Sequence, residues 1–132
     1  MNEKKNLTTE ETFALAFQNH KKNNLQIAEN LYEETLKMNP NHLQSNFLLG
    51  TLSARIKKFD IAIQLLNKAI KIDPDYMEAH NNLGNVLIEL EEFEKAISCY
   101  EKAIQINPNY AEAHNNLGIV FRKLGEYQRA IN

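Results

Sequence analysis

The sequence predicts an all-α fold, an α-solenoid of stacked helix pairs, on three observations. The three prolines, Pro40, Pro74 and Pro108, lie 34 residues apart, and self-similarity at a period of this length is typical of stacked helical repeats. Apolar residues within each period recur at the three- and four-residue spacing of an amphipathic helix. Only four glycines and three prolines interrupt 132 residues, too few for the many turns of an all-β protein.

The 34-residue period divides the chain into a short polar tail, residues 1–8, and a repeat domain, residues 9–132. Three full repeats cover residues 9–42, 43–76 and 77–110, and a partial repeat covers residues 111–132. Their apolar spacing predicts helices near residues 9–22, 25–39, 43–56, 59–73, 77–90, 93–107 and 111–124. In the partial repeat a second-helix fragment is predicted from about residue 126.

Helix starts are predicted where a capping residue is followed three positions later by Glu or Gln. The four pairs with this spacing are Thr8 with Glu11, Asn41 with Gln44, Asp75 with Glu78, and Asn109 with Glu112. In such a capping box the two side chains accept hydrogen bonds from backbone N–H groups that the helix start leaves free. Each proline stands just before one of these caps and ends the preceding helix, because it disfavours helical geometry in the residue ahead of it.

A column of small residues recurs in every repeat. It contains Ala16, Gly50, Gly84 and Gly118, each preceded by Leu and followed twelve residues later by Ala28, Ala62, Ala96 and Ala130. With Tyr32 and Tyr100 and the closing prolines, this pattern resembles the tetratricopeptide repeat over residues 9–132. The resemblance implies about 3.5 antiparallel helix pairs in a right-handed superhelix, with the first helix of each pair on the concave side. It also places the small residue where the two helices of a pair touch.

The resemblance further implies a concave groove lined by the first helices. Its expected peptide-binding residues are Phe13, Phe17, Phe47 and Leu48 at the N-terminal end, and Asn81, Asn82, Asn85, Asn115 and Asn116 at the C-terminal end. The asparagines come largely from the segment EAHNNLG, which occurs at residues 78–84 and again at 112–118. A carboxamide offers donors and an acceptor, so it can pair with the backbone of an extended peptide.

Repeats three and four also resemble those of O-linked N-acetylglucosamine transferase. In that family an Asn in the column of Asn82 and Asn116 holds substrate peptides by their backbone. The correspondence stops at these two residues, because Ala14 and Leu48 interrupt the column in repeats one and two. The alternative is a solvated asparagine face in a chain in which 18 of 132 residues are Asn.

Other chemistries are disfavoured by the same columns. His80 and His114 are expected to pack toward the partner helix, since equivalent points of adjacent repeats lie about 10 Å apart whereas zinc ligands lie about 2 Å from their ion. Cys99 is expected to be a half-buried thiol, with no cationic cluster to lower its pKa. Because it is the only cysteine, the chain has no intrachain disulfide, which favours a reducing, cytoplasmic compartment.

Co-chaperone tetratricopeptide domains grip a C-terminal carboxylate with Lys and Arg in the groove columns. Here the matching positions hold Phe13, Phe17, Leu48, Glu78 and Asn82, so a carboxylate clamp is not predicted. The net charge of −2 lacks the basic footprint of a nucleic-acid binder, and no apolar stretch of about 18 residues spans a membrane. No catalytic constellation, phosphate loop or metal cluster is recognisable, so neither catalysis nor a cofactor is expected.

The sequence therefore predicts a protein-interaction module that binds a peptide or helix in its groove. Two alternatives remain: the N-terminal recognition arm of a larger enzyme such as a glycosyltransferase, and a purely structural scaffold. The partial repeat is expected to leave Leu117, Val120, Phe121 and Leu124 incompletely covered. We therefore expect self-association through the C-terminal end, by an isologous contact or by head-to-tail stacking.

Overall fold

The computed structural model describes residues 6–131, which form helices and no strands, so the prediction of an all-α fold is confirmed. Residues 1–5 of the predicted polar tail and Asn132 lie outside the described part. The helices are α1 Thr9–Lys21, α2 Leu25–Met38, α3 Leu43–Arg55, α4 Phe59–Ile72, α5 Met77–Glu89, α6 Phe93–Ile106 and α7 Ala111–Ile131. The first six end within one residue of the predicted positions.

The helices form antiparallel pairs, α1 with α2, α3 with α4, and α5 with α6, and α7 packs on α6. Each second helix also contacts the first helix of the next pair, so the pairs stack in chain order. The core has one cluster around Tyr32 and a larger one around Tyr100, and both rings are completely buried. Among residues 6–131 no helix is long and apolar enough to cross a bilayer.

The reversal inside each pair depends on a residue with left-handed backbone geometry. Asn23, Lys57 and Glu91 have φ values of 65°, 66° and 59°, and they occupy the same position in three consecutive repeats. Such a residue ends the first helix and lets the second begin two positions later, as the left-handed residue does at many helix C-termini. Because no glycine occupies these positions, packing of the two helices must compensate the backbone strain.

The connections between pairs differ from the prediction. The capping box of Thr8 with Glu11 is confirmed: the backbone N–H of each residue donates to the other's side chain, at 3.0 and 3.1 Å. The other three predicted boxes are wrong. The backbone N–H groups of Asn41, Asp75 and Asn109 instead donate to the side chains of Asn39, Asp73 and Asn107, each at 3.1 Å. These contacts form Asx turns around each proline, and the helix starts one residue later than the predicted cap implies.

The last helix is the largest departure from the prediction. A break was predicted between residues 124 and 126, but α7 continues through Gly125 to Ile131. Gly125 stands one period after Glu91, at the reversal position, yet no glycine of the described chain has a positive φ. By extending α7, residues 126–131 continue an existing helix and need no new nucleus, which is the costly step of helix formation.

The small-residue column lies where the paired helices touch, as predicted. An ideal Cβ on Gly84 would lie 2.7 Å from Cε1 of Tyr100, and one on Gly50 would lie 3.1 Å from Cγ of Leu66. Gly118 is different, since apart from the neighbouring backbone of its own helix no atom of the described chain lies within 4 Å of its Cβ position. Within residues 6–131 no second helix folds back on α7, which accounts for this open space.

Candidate functional site

The predicted aromatic residues of the groove divide into two groups. Phe13 and Phe47 are half-buried between repeats, where their rings lie 4.8 Å from the ring of His42 and 4.7 Å from that of Tyr76. Leu48 is also half-buried and packs on the N-terminal core cluster. These three side chains therefore support the stacking of repeats and present only part of their surface to the groove.

Phe17 is the most exposed of the predicted aromatic residues. It is 39% exposed and stacks on Phe13 with a ring separation of 6.2 Å and an interplanar angle of 12°. The Lys21 ammonium lies 4.9 Å from the centroid of the Phe17 ring, at cation–π distance. The N-terminal end of the groove thus presents one accessible aromatic face beside a positive charge.

The predicted asparagines occupy very different environments. Asn81 is completely buried, and its Oδ1 accepts a hydrogen bond of 3.1 Å from Nδ2 of Asn116. Within residues 6–131 the Asn81 Nδ2 has no hydrogen-bond partner. Asn115, the equivalent residue one repeat later, is exposed. The buried amide of Asn81 orients Asn116 and is not on the surface of the groove.

Asn116 belongs to a hydrogen-bond network that links α5, α6 and α7. Its Nδ2 donates to Asn81 and also to Oδ1 of Asn85, at 3.2 Å, and that oxygen also accepts the hydroxyl proton of Tyr100. Within the described chain, the Oδ1 of Asn116 and the Nδ2 of Asn85 have no protein partner. The network therefore leaves one acceptor and one donor group exposed at the C-terminal end of the groove.

A cleft of about 380 Å³ separates the C-terminal halves of α3 and α5. Ala54, Phe59 and Val86 provide apolar walls, while Asn82 and Asn85 lie at its polar edge. Asn82 Nδ2 donates to Oγ1 of Thr51 at 3.0 Å, which leaves its carbonyl oxygen without a partner in the described chain. The remaining lining residues are charged: Arg55, Lys57 and Glu89.

Sequence reasoning identified only two residues of this cleft as binding residues, Asn82 and Asn85. It missed Arg55, Lys57 and Phe59, because they lie at the helix reversal, outside the groove columns. Their relative positions depend on the left-handed geometry of Lys57, which brings the start of α4 beside the end of α3. Thr51, which also lines the cleft, could have been predicted from the sequence, since it occupies the same groove column as Phe17 and Asn85.

The histidines have a structural role that the sequence reasoning missed. In one column Asn46 Nδ2, His80 Nε2 and His114 Nε2 bond the carbonyl oxygens of Pro40, Pro74 and Pro108, at 3.0, 2.8 and 2.8 Å. A carbonyl only accepts, so each histidine Nε2 carries the proton. The prediction that His80 packs is confirmed, but His114 is exposed, because no helix of the described chain follows α7 to cover it. No group of three metal-ligating side chains forms within residues 6–131.

Cys99 is half-buried in α6, as predicted. Burial raises the pKa of its thiol to about 11, because the thiolate would lose hydration. The thiol is therefore protonated near neutral pH and is a poor nucleophile.

A family model described as "TPR repeat" matches residues 84–125, and one described as "Anaphase-promoting complex, cyclosome, subunit 3" matches residues 21–103. The chain belongs to the tetratricopeptide repeat (TPR) family. No curated protein sequence matches it significantly. The family models describe the repeat architecture that the helix pairs and the small-residue column display.

Solved structures with similar folds include the first TPR of Spaghetti (RPAP3) bound to the HSP90 peptide SRMEEVD. That match has a TM-score of 0.85 and 22% identity, and it covers 89% of this chain and 93% of the other. MamA matches with a TM-score of 0.82 and 29% identity over 93% of this chain and 67% of the other. A mutant O-GlcNAc transferase from Thermobaculum terrenum matches with a TM-score of 0.80 and 26% identity, covering 91% of this chain but 23% of the enzyme.

Proposed function

We propose that this TPR domain is a protein-interaction module that binds an extended peptide in its groove and has no catalysis of its own. The observation that carries the proposal is the cleft between α3 and α5, where apolar walls adjoin the carbonyl oxygen of Asn82 and the NH₂ group of Asn85, which have no protein partners among residues 6–131. Apolar clefts with a few convergent polar groups are typical ligand sites.

The amide groups suit a peptide backbone. Asn82 and Asn116 each offer an unpaired carbonyl oxygen to a peptide N–H, and Asn85 offers an NH₂ group to a peptide carbonyl. Because Asn116 is held by two hydrogen bonds and Asn82 by one, binding would cost little side-chain entropy. Recognition of this kind reads the backbone and tolerates varied peptide side chains.

The remaining predicted site residues would act around this centre. The exposed ring of Phe17 would anchor an apolar peptide side chain, while Phe13, Phe47 and Leu48 would shape the groove from their half-buried positions. Asn81 would contribute only by orienting Asn116, and exposed Asn115 would extend the polar surface. The apolar walls between Arg55 and Lys57 on one side and Glu89 on the other would take one further side chain.

The similar solved domains support a peptide ligand but not a particular mode. The RPAP3 domain is described as bound to an HSP90 peptide, and at 22% identity its similarity to this chain concerns the fold alone. The groove of this chain has Phe13, Phe17 and Leu48 at positions where a carboxylate clamp needs cations. We therefore propose recognition of the peptide backbone rather than of its terminal carboxylate.

A second candidate is that the domain serves as the substrate-recognition arm of a larger enzyme such as a glycosyltransferase. The supporting observation is the pair Asn82 and Asn116 in repeats that resemble O-GlcNAc transferase. Both candidates use the same groove. They differ in whether the protein that contains this domain modifies the bound peptide.

The test is a peptide library screened against the purified domain, followed by affinity measurements on the best ligand. Removing two backbone hydrogen bonds with Asn82→Ala and Asn116→Ala together should weaken binding about tenfold or more, at about 1 kcal/mol each. Asn116→Ala also removes the donor to buried Asn81, so we expect a lower melting temperature, and affinity is measured where circular dichroism shows full helicity.

A matched control is Asn30→Ala with Asn67→Ala, which removes two exposed carboxamides from second helices. The control should bind as tightly as the wild type. Unchanged affinity of the groove double variant, or equal weakening by the control, would refute the backbone-clamp mechanism. Absence of any saturable peptide ligand would favour a structural scaffold.

A further inference from the structure

The end of α7 carries the residue pattern of a second helix that has not folded back. Tyr127, Ala130 and Ile131 lie one period after Phe93, Ala96 and Ile97, which begin α6. In α6 the first two of these residues are 6% and 0% exposed, because they pack on the paired helix α5. In α7, Ile131 is 67% exposed.

The surface that would receive such a second helix is also exposed on α7. Phe121 lies one period after Leu87, which is 7% exposed in the cluster that includes Phe93 and Ala96. Phe121 is 54% exposed. Tyr127 packs on Phe93 of α6 at a ring separation of 5.7 Å, but Phe121 and Ile131, the equivalents of Leu87 and Ile97 in the α5–α6 pair, are both left exposed on one chain.

The register of that contact follows from the glycine column. Gly84 meets Tyr100 and Gly50 meets Leu66, each sixteen residues further along the chain. In an antiparallel pair, moving forward along one helix moves the facing residue backward along the other. Three positions after Gly84 and three positions before Tyr100, Leu87 therefore lies opposite Ile97. One period later the same register sets Phe121 opposite Ile131. Within straight α7 these residues are separated by about 15 Å along the helix axis, so they cannot meet inside one chain.

The sequence of α7 independently supports pairing of the helix with a copy of itself. Residues along one face alternate at spacings of four and three: Leu117, Phe121, Leu124, Gln128 and Ile131. This is the spacing of a coiled-coil seam, with Gln128 as its polar position. Leu117 and Leu124 are half-buried against the larger core cluster, whereas Phe121 and Ile131 are exposed. Glu126 and the basic residues of α7 lie off the seam, so two copies can approach without burying charge.

We infer that two copies of this chain form an isologous dimer in which their α7 helices pair antiparallel. Phe121 of each copy packs on Ile131 of the other, and Leu124 of each packs beside Gln128 of the other. The glycine column sets this pairing, and the heptad spacing of α7 is compatible with it. Of the two arrangements expected from the sequence, the contact is therefore the two-fold one and not head-to-tail stacking. The seam lies outside the α3–α5 cleft, so this inference does not depend on the proposed peptide site.

Light scattering across a series from low micromolar to millimolar concentration measures the mass of the 132-residue chain in solution. We expect a rise from 15.3 kDa to twice that value. Phe121→Glu and Ile131→Lys should each remain monomeric, because each buries an unpaired charge at both copies of the contact. The matched control Arg129→Glu changes an exposed residue off the seam, whose equivalent Lys95 is also exposed on α6, and should dimerise like the wild type.

Mixing the two charged variants tests whether position 121 of one copy faces position 131 of the other. In a mixed dimer Glu at position 121 of one chain faces Lys at position 131 of the other, and the second contact is wild type, so dimerisation should return. A monomeric wild type, a dimer that neither variant disrupts, or a mixture that stays monomeric would overturn the inference. Circular dichroism on each variant must show wild-type helicity, which both exposed positions allow.

Discussion

Replacing Gly84 with alanine adds a methyl group against a completely buried ring. The new Cβ would lie 2.7 Å from Cε1 and 2.8 Å from Cζ of Tyr100, closer than carbon atoms pack. The ring cannot simply move away, because its hydroxyl donates to Asn85 and its faces are enclosed. Overpacking of this kind costs about 1–3 kcal/mol. Alanine recovers about 1 kcal/mol of helix propensity, so we expect the free energy of unfolding to fall by up to about 2 kcal/mol.

The matched control is Gly118→Ala. Gly118 occupies the same column one repeat later, also inside a helix, but apart from the neighbouring backbone of α7 no atom of residues 6–131 lies within 4 Å of its Cβ position. This variant gains helix propensity without overpacking and should be stabilised by up to about 1 kcal/mol. Since both variants gain the same propensity, their difference of about 1–3 kcal/mol isolates the contact between α5 and α6.

Urea denaturation followed by circular dichroism measures both variants, at concentrations low enough to keep the chain monomeric. Each kcal/mol corresponds to a shift in melting temperature of about 2–5 °C for a domain of this size. Gly84→Leu extends further into the ring and should lose about 3 kcal/mol. If Gly84→Ala proves as stable as Gly118→Ala, the register assigned to the α5–α6 pair is wrong.

Two further predictions concern histidines. His80→Ala removes the N–H that bonds the carbonyl of Pro74, so urea denaturation should show a free energy of unfolding lower by about 1 kcal/mol. His114→Ala, at an exposed position, should lower it by less. Equal losses in the two variants would argue against a role for burial. Burial, with a smaller contribution from the charge of Arg55, lowers the pKa of His20 below 6.5, so the unfolded chain binds more protons. The stability from neutral His20 is therefore present above pH 6.5 and is lost as pH falls toward the folded pKa; His20→Gln should flatten the melting temperature over this range, and parallel profiles would contradict the assignment.

The period and the helix positions could be predicted from sequence because they depend on local pattern and on repetition. A single helix pair cannot bury its apolar face, so a repeated 34-residue pattern requires stacked pairs. The small-residue column also has a local meaning, since Gly84 must allow one helix close to another whichever fold surrounds it. These features were confirmed because every repeat contains the same information.

The connections between helix pairs were less predictable, because an Asn or Asp side chain can either cap a helix or form an Asx turn. Asn41, Asp75 and Asn109 fit a capping box, but the Asx residue before each proline captures their backbone N–H and moves the helix start. Ser, Thr, Asn and Asp side chains compete in this way for nearby backbone groups. The spacing alone does not decide which hydrogen bond forms.

Tertiary structure alone decided the environment of the asparagines. Asn81 and Asn115 occupy the same place in identical seven-residue segments, yet the first is completely buried and the second is exposed. The difference arises because α7 packs over α5 and α6, whereas within residues 6–131 no further helix packs over α7. By itself the sequence determined which residues repeat and which face of each helix they share. Burial and hydrogen-bond partners depend on helices a full repeat away, so only the packed structure could assign them.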